Sequence, residues 1–158
     1  SQPSGLLVLT MGKSKIDASF ENGKLKQEIV NEINAQLKEA PEQLTSLFGN
    51  NKINVYLTLD DGSVLEYFVS TSKGRVVDVL QGAKQGADLE IRAKEKTIDK
   101  IALSKDPVGK LLDALSSGEI KYTGLTPEGE AKGLLMNVAT GLIGFFKGIF
   151  EFFAGLFR

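Results

Sequence analysis

Apolar residues recur along the chain with two periods, and the changes of period mark the elements. Over residues 24–39, Leu25, Ile29, Ile33 and Leu37 return every four positions with Val30 beside them, the spacing of an amphipathic helix. Pro41 cannot continue that helix but can open another. A short helix is therefore expected over 41–48, with Leu44, Leu47 and Phe48 buried, stopped by Gly49-Asn50-Asn51. Upstream, Ile16, Ala18 and Phe20 alternate with Lys15, Asp17 and Ser19 as a short strand would, and Asn22-Gly23 is a turn signal.

The period then falls to two. Ile53, Val55, Leu57 and Leu59 alternate with Asn54, Tyr56 and Thr58, and Leu65, Tyr67 and Val69 alternate with Val64, Glu66 and Phe68. Between them Asp60-Asp61-Gly62-Ser63 supplies a tight hairpin. A turn at Ser72-Lys73-Gly74 leads to a third strand, Val76 to Leu80, and a fourth carries Leu89 and Ile91 between Asp88, Glu90 and Arg92. Helical spacing returns with Ile98, Ile101 and Ala102. Asp106-Pro107 opens a helix whose apolar face is Val108, Leu111, Leu112 and Leu115, and Ser116-Ser117-Gly118 ends it. Ile120 and Tyr122 alternate with Glu119, Lys121 and Thr123 in a fifth strand. Thr126-Pro127-Glu128 opens a last helix. The order predicts an α+β fold: a mainly antiparallel sheet of five strands with one dry face, helices packed over that face, and a long apolar C-terminal helix. The expected division is an N-terminal extension over 1–23, a domain over 24–130 and the C-terminal helix over 131–158.

Composition narrows the chemistry. The 158 residues can bury a core without staples, and 19 basic against 20 acidic residues leave a net charge of −1. That balance argues against a nucleic-acid partner, which asks for a basic excess. There are no histidines and no cysteines, so the commonest general base, the thiolate nucleophile and His- or Cys-based metal sites are all missing. No cofactor and no metal are expected, and binding is favoured over catalysis. Gly82 and Gly86 frame a loop, but no Gly-Lys-Ser/Thr follows to cradle phosphates. Asp60-Asp61 reads as a turn. Asp88 with Glu90, and Lys94 with Lys96 and Lys100, read as solvated faces. The run Leu6-Leu7-Val8-Leu9 is too short for a secretory core and no positive charge precedes it. A cytoplasmic protein, peripheral at a membrane or free, is expected.

From about Lys52 to Leu135 the chain resembles the sterol carrier protein 2 family. The resemblance rests on a hairpin of alternating strands, then a strand opened by Ala87-Asp88-Leu89-Glu90-Ile91 and a helix over Lys94 to Ser104. An Asp-Pro helix follows from Asp106 to Leu115, then Ser117-Gly118-Glu119-Ile120-Lys121-Tyr122-Thr123-Gly124. It implies a five-stranded sheet backed by helices, an apolar tunnel between them for a fatty-acyl, sterol or similar lipid, and no intrinsic enzyme activity. The first 23 residues have no counterpart in the family pattern. The ending here is longer and richer in phenylalanine.

At about 100° per residue the last helix sorts into two faces. Leu135, Leu142, Phe146, Ile149, Phe153 and Leu156 share the broad one; Asn137, Gly141, Gly144, Gly148, Glu151 and Gly155 share the narrow one. A face this apolar asks for a cover. Three readings stand side by side: a lid over the sheet, an interfacial membrane helix, or a homodimer contact. Candidate membrane or dimer contacts are Phe145, Ile149, Phe150, Phe153, Leu156 and Phe157. Candidate lipid-lining residues are Val55, Leu57, Tyr67, Val69, Leu111, Leu115, Ile120, Tyr122, Met136 and Phe146, with a tyrosine hydroxyl available to orient a head group. The expected function is non-catalytic binding and transfer of an apolar lipid (fatty acyl, sterol or isoprenoid). The alternative is a homo-oligomeric interaction module without cargo.

Overall fold

The computed structural model describes residues 17–37 and 50–126. The predicted helix over 41–48, the C-terminal helix over 131–158 and Met136, Phe145, Phe146, Ile149, Phe150, Phe153, Leu156 and Phe157 lie outside the described residues. The elements are β1 (Phe20–Glu21), β2 (Lys24–Leu25), α1 (Gln27–Leu37), β3 (Lys52–Thr58), β4 (Val64–Ser72), β5 (Arg75–Gln81), β6 (Leu89–Lys94), α2 (Glu95–Ala102), α3 (Pro107–Ser117) and β7 (Lys121–Gly124).

The strands form one sheet in the order β1-β2-β5-β4-β3-β6-β7. Among the described residues only the β3–β6 pair is parallel. The five predicted strands are the body of this sheet, but the count among the described residues is seven. The extra pair comes from the Asn22-Gly23 turn. Both residues take positive φ, 54° and 78°, as a two-residue hairpin connection requires, and Phe20 pairs with Leu25. The expected helix over 24–39 therefore starts only at Gln27, and Leu25 enters the core from a strand. Asp17 and Ala18 are helical and Ser19 is in a turn, so among the described residues of the expected Ile16–Phe20 alternation only Phe20 is in a strand.

Turn chemistry fixes the meander. Between β3 and β4 the Leu59 amide donates to the Ser63 carbonyl and the Gly62 amide to the Leu59 carbonyl. Gly62 alone there is left-handed, at φ 87°, so this connection has three residues and not the tighter two. Between β4 and β5, Lys73 and Gly74 are both left-handed. Asp88 locks the far side: its carboxylate accepts from the Lys52 amide at 3.0 Å, and its carbonyl accepts from the Leu125 amide. One residue thus joins the starts of β3 and β6 to the end of β7.

Register makes one face dry. Ile53, Val55 and Leu57 of β3 stand opposite Val69, Tyr67 and Leu65 of β4, and opposite Leu89, Ile91 and Ala93 of β6. Val79 and Tyr122 extend that face on the neighbouring strands. Val30 and Ile33 of α1, Ile98 and Ile101 of α2, and Ala114 of α3 join the same cluster, so the helices cover this face. α3 begins at an Asp106 cap, whose carboxylate accepts from the Gly109 amide at 3.1 Å, and ends at left-handed Gly118. On the opposite face Arg92 lies 4.1 Å over the Tyr56 ring and pairs with Glu90. That face is not wholly wet. The Asn54 side chain both donates to and accepts from the Lys84 backbone, beside buried Phe68 on the neighbouring strand.

The outer edge of β5 is shared between two partners. β2 pairs with it at Leu80. At Val76 a side chain takes over: the Asn34 Nδ2 donates to the Val76 carbonyl and the Val76 amide donates to the Asn34 Oδ1, both at 2.8 Å. α1 is thereby fastened to the sheet by a peptide-like pair of bonds.

Candidate functional site

The helices do not cover the dry face evenly. α1 packs over β5, while α2 and α3 pack together on the β6 side. Phe20, Ile29, Leu57, Leu65, Tyr67, Leu115 and Tyr122 rest against the core but stay only partly buried. Four of these are contiguous. Leu57 pairs with Leu65, Tyr67 is next along the same face of β4, and Phe20 stacks on Tyr67 with centroids 5.6 Å apart. This run of half-buried apolar side chains crosses the sheet from the β3–β4 turn to the β1–β2 hairpin.

The structure distributes the lining candidates by depth. Val55, Val69 and Ile120 are buried in the packed core. Leu57, Tyr67, Leu115 and Tyr122 are partly buried around it. Leu111 lies in α3, but its side chain is outside what is described. Ile120 precedes β7 and is not part of it. Its amide donates to the Ala114 carbonyl at 3.0 Å, so the C-terminal turn of α3 places it.

Sequence reasoning missed Phe20 and Leu65 as members of the apolar run. The alternation around Leu65 could have supplied the second; Phe20 needs the hairpin. The Tyr67 hydroxyl sits in poor solvent: burial first, then the Asp17 carboxylate, push it up to about 12. It is a neutral hydrogen-bonding group at any physiological pH.

A second feature had no sequence forecast. Glu95 and Asp99, one turn apart in α2, are both buried. The Asp60 amide donates to the Glu95 Oε1 at 3.2 Å, while neither Asp99 oxygen has a hydrogen-bond partner. Burial first, then the charges of Glu95 and Asp60, push the Asp99 carboxyl up to about 7. The available signal was the spacing: Glu95, Ile98, Asp99 and Ala102 share the stripe that should be apolar.

No helix among the described residues is long and apolar enough to cross a membrane. No family model matches the sequence, and no curated protein matches it significantly. Among solved structures the chain is similar to sterol carrier protein 2, with a TM-score of 0.50 and 16% identity over 76% of this chain and 94% of that one. It is also similar to UbiJ-SCP2, a ubiquinone synthesis protein, with a TM-score of 0.46 and 19% identity over 75% of this chain and 89% of that one. The sterol carrier protein domain 2 of Helicoverpa armigera gives a TM-score of 0.45 and 13% identity over 73% and 86% of the two chains. The fold of this chain is that of sterol carrier protein 2, an α+β sheet backed by helices.

Proposed function

We propose that the protein binds an apolar lipid, of fatty-acyl, sterol or isoprenoid type, against the dry face of its sheet and passes it between membranes or partners without chemical change. The observation that carries this reading is the half-buried run Leu57, Leu65, Tyr67 and Phe20. A soluble core gains by burying such residues fully. Leaving them part-covered and contiguous provides a surface that an alkyl chain or ring system can complete. The fold likeness to sterol carrier protein 2 agrees with it. A carrier rather than an enzyme is favoured because a chain without histidine or cysteine offers this apolar run no ready nucleophile and base.

Residues 131–158, expected from sequence to form a Phe-rich amphipathic helix, are the segment suited to cover the run in the empty state and to touch a membrane during loading. Native mass spectrometry of the full chain, followed by organic extraction, tests the reading. The expected result is a co-purified or reconstituted acyl lipid, sterol or isoprenoid at near one per chain, lost in Leu65→Asp. A chain that stays lipid-free after incubation with mixed-lipid vesicles, above all as a stable homodimer, would refute it.

A further inference from the structure

The Asp99 carboxyl is a buried acid without a hydrogen bond, and its setting is built from two elements. Asp99 is 4% exposed and Glu95, four residues earlier on the same helical face, is fully buried. Asp60 of the β3–β4 turn holds Glu95 through its amide. The charges that bear on Asp99 are both negative, Glu95 from its own helix and Asp60 from the turn. Among the described residues, the charged groups of the neighbouring elements lie elsewhere. On β6, Arg92 and Lys94 alternate with Ala93 and stand on the opposite face, Arg92 paired with Glu90. After α3, Glu119 faces Lys100 and Thr97, and Lys110 and Asp113 of α3 are exposed. Among the described residues no cluster is arranged to hold a metal ion.

We propose that Asp99 is a proton-operated latch between α2 and the β3–β4 turn, closed when its carboxyl is protonated and released when it ionises. Protonated, Asp99 leaves Glu95 as the single buried charge of the pair, held by the turn amide. Ionised, it places a second buried negative charge one helical turn away, on oxygens that have no hydrogen-bond partner to offset their burial. The first relief open to the structure is hydration: the turn moves off the start of α2, and the Asp60–Glu95 bond breaks. The carboxyl pushed up to about 7 puts that change near neutral pH.

The latch sits at one end of the apolar run. Thr58 pairs with Lys94, and Leu57 pairs with both Leu65 and Ala93, so release of the turn exposes the Leu57–Leu65 end first. pH would then govern access to the apolar face. This coupling rests on the carrier reading; the latch does not.

Amide hydrogen exchange on the full chain tests it, read as protection factors so that the base-catalysed intrinsic rate is removed. Between about pH 5.5 and 8.5 the Asp60 amide should lose at least about tenfold protection, with central β4 amides unchanged. Asp99→Asn should abolish the loss. Equal Asp60 protection at both pH values, or the same loss in Asp99→Asn, would overturn the latch. The wild-type chain alone supplies a second test should the variant misfold: the Asp99 carboxyl carbon should titrate near 7 by NMR, and an ordinary carboxylate midpoint overturns the proposal. A chain that shows the Asp60 change yet binds no lipid would refute the carrier reading and leave the latch standing. A lipid-binding chain without the change would do the reverse.

Discussion

Replacing Asn34 with alanine removes a side chain that fastens α1 to the edge of β5. Both its bonds, to the Val76 carbonyl and from the Val76 amide, are 2.8 Å long. The amide orientation is fixed by these partners, since only one assignment gives each backbone group its complement. Two such bonds contribute about 1 kcal/mol each, and Val76 is only 3% exposed, so its backbone groups would be left largely without water as well. The site is part-buried at Asn34, which lets some solvent in. The expected loss is about 2–4 kcal/mol. It should appear in urea denaturation as a lower midpoint at unchanged slope. Asn34→Asp separates the hydrogen bonds from side-chain volume. At neutral pH its carboxylate still accepts from the Val76 amide but meets the Val76 carbonyl as a second acceptor. That variant should be destabilised at pH 7 and partly recover in acid, where a protonated carboxyl can donate. A loss under about 0.5 kcal/mol for alanine, or an aspartate variant equal to wild type at pH 7, would refute this account of how α1 is held.

Two further outcomes are expected. Asp99 lies at about 7 in the fold against 3.8 unperturbed. Its protonated form is thus the one the fold prefers, and the unfolded chain releases its proton first. Stability should fall as pH rises from about 4 to about 7 and level off above. Asp99→Asn should remove that slope and exceed wild type by about 1–4 kcal/mol at pH 8, converging below pH 4, as measured by urea unfolding across pH. Asp106→Ala removes the cap on the Gly109 amide and should cost about 1 kcal/mol, read as a lower thermal midpoint.

The parts of the fold that were legible in the sequence are those set by local chemistry. Asp106-Pro107 and Gly118 bound α3 as their capping and left-handed preferences require. Strict alternation gave β3 and β4 and the face each residue occupies. Leu25 shows where this stops. It lies four residues before Ile29 and so suits a helical stripe, while the two-residue strand that holds it has no period of its own. Ile120 alternates correctly with Tyr122, yet a bond to the Ala114 carbonyl places it. For the site, alternation reports face but not depth, so it could not separate buried Val55 and Val69 from part-covered Leu57 and Tyr67. Asp99 was illegible because the element contributing to its isolation, the turn at Asp60, is distant in sequence and brings another negative charge.

The parallel β3–β6 pairing has a consequence for the order in which the chain acquires its shape. β3, β4 and β5 are joined by two short turns and can form as they emerge. The other edge of β3 must wait for β6, and the two strands are locked by a contact across 36 residues, from Lys52 to Asp88. Until then one edge of a three-stranded meander is unpaired, and its apolar face lacks α2 and α3. Such an intermediate closes its local loops quickly and its long one late. Its open β3 edge is the place where a second nascent chain could add in place of β6. Aggregation during synthesis should therefore depend on how fast residues 82–94 follow, and less on the stability of the finished domain.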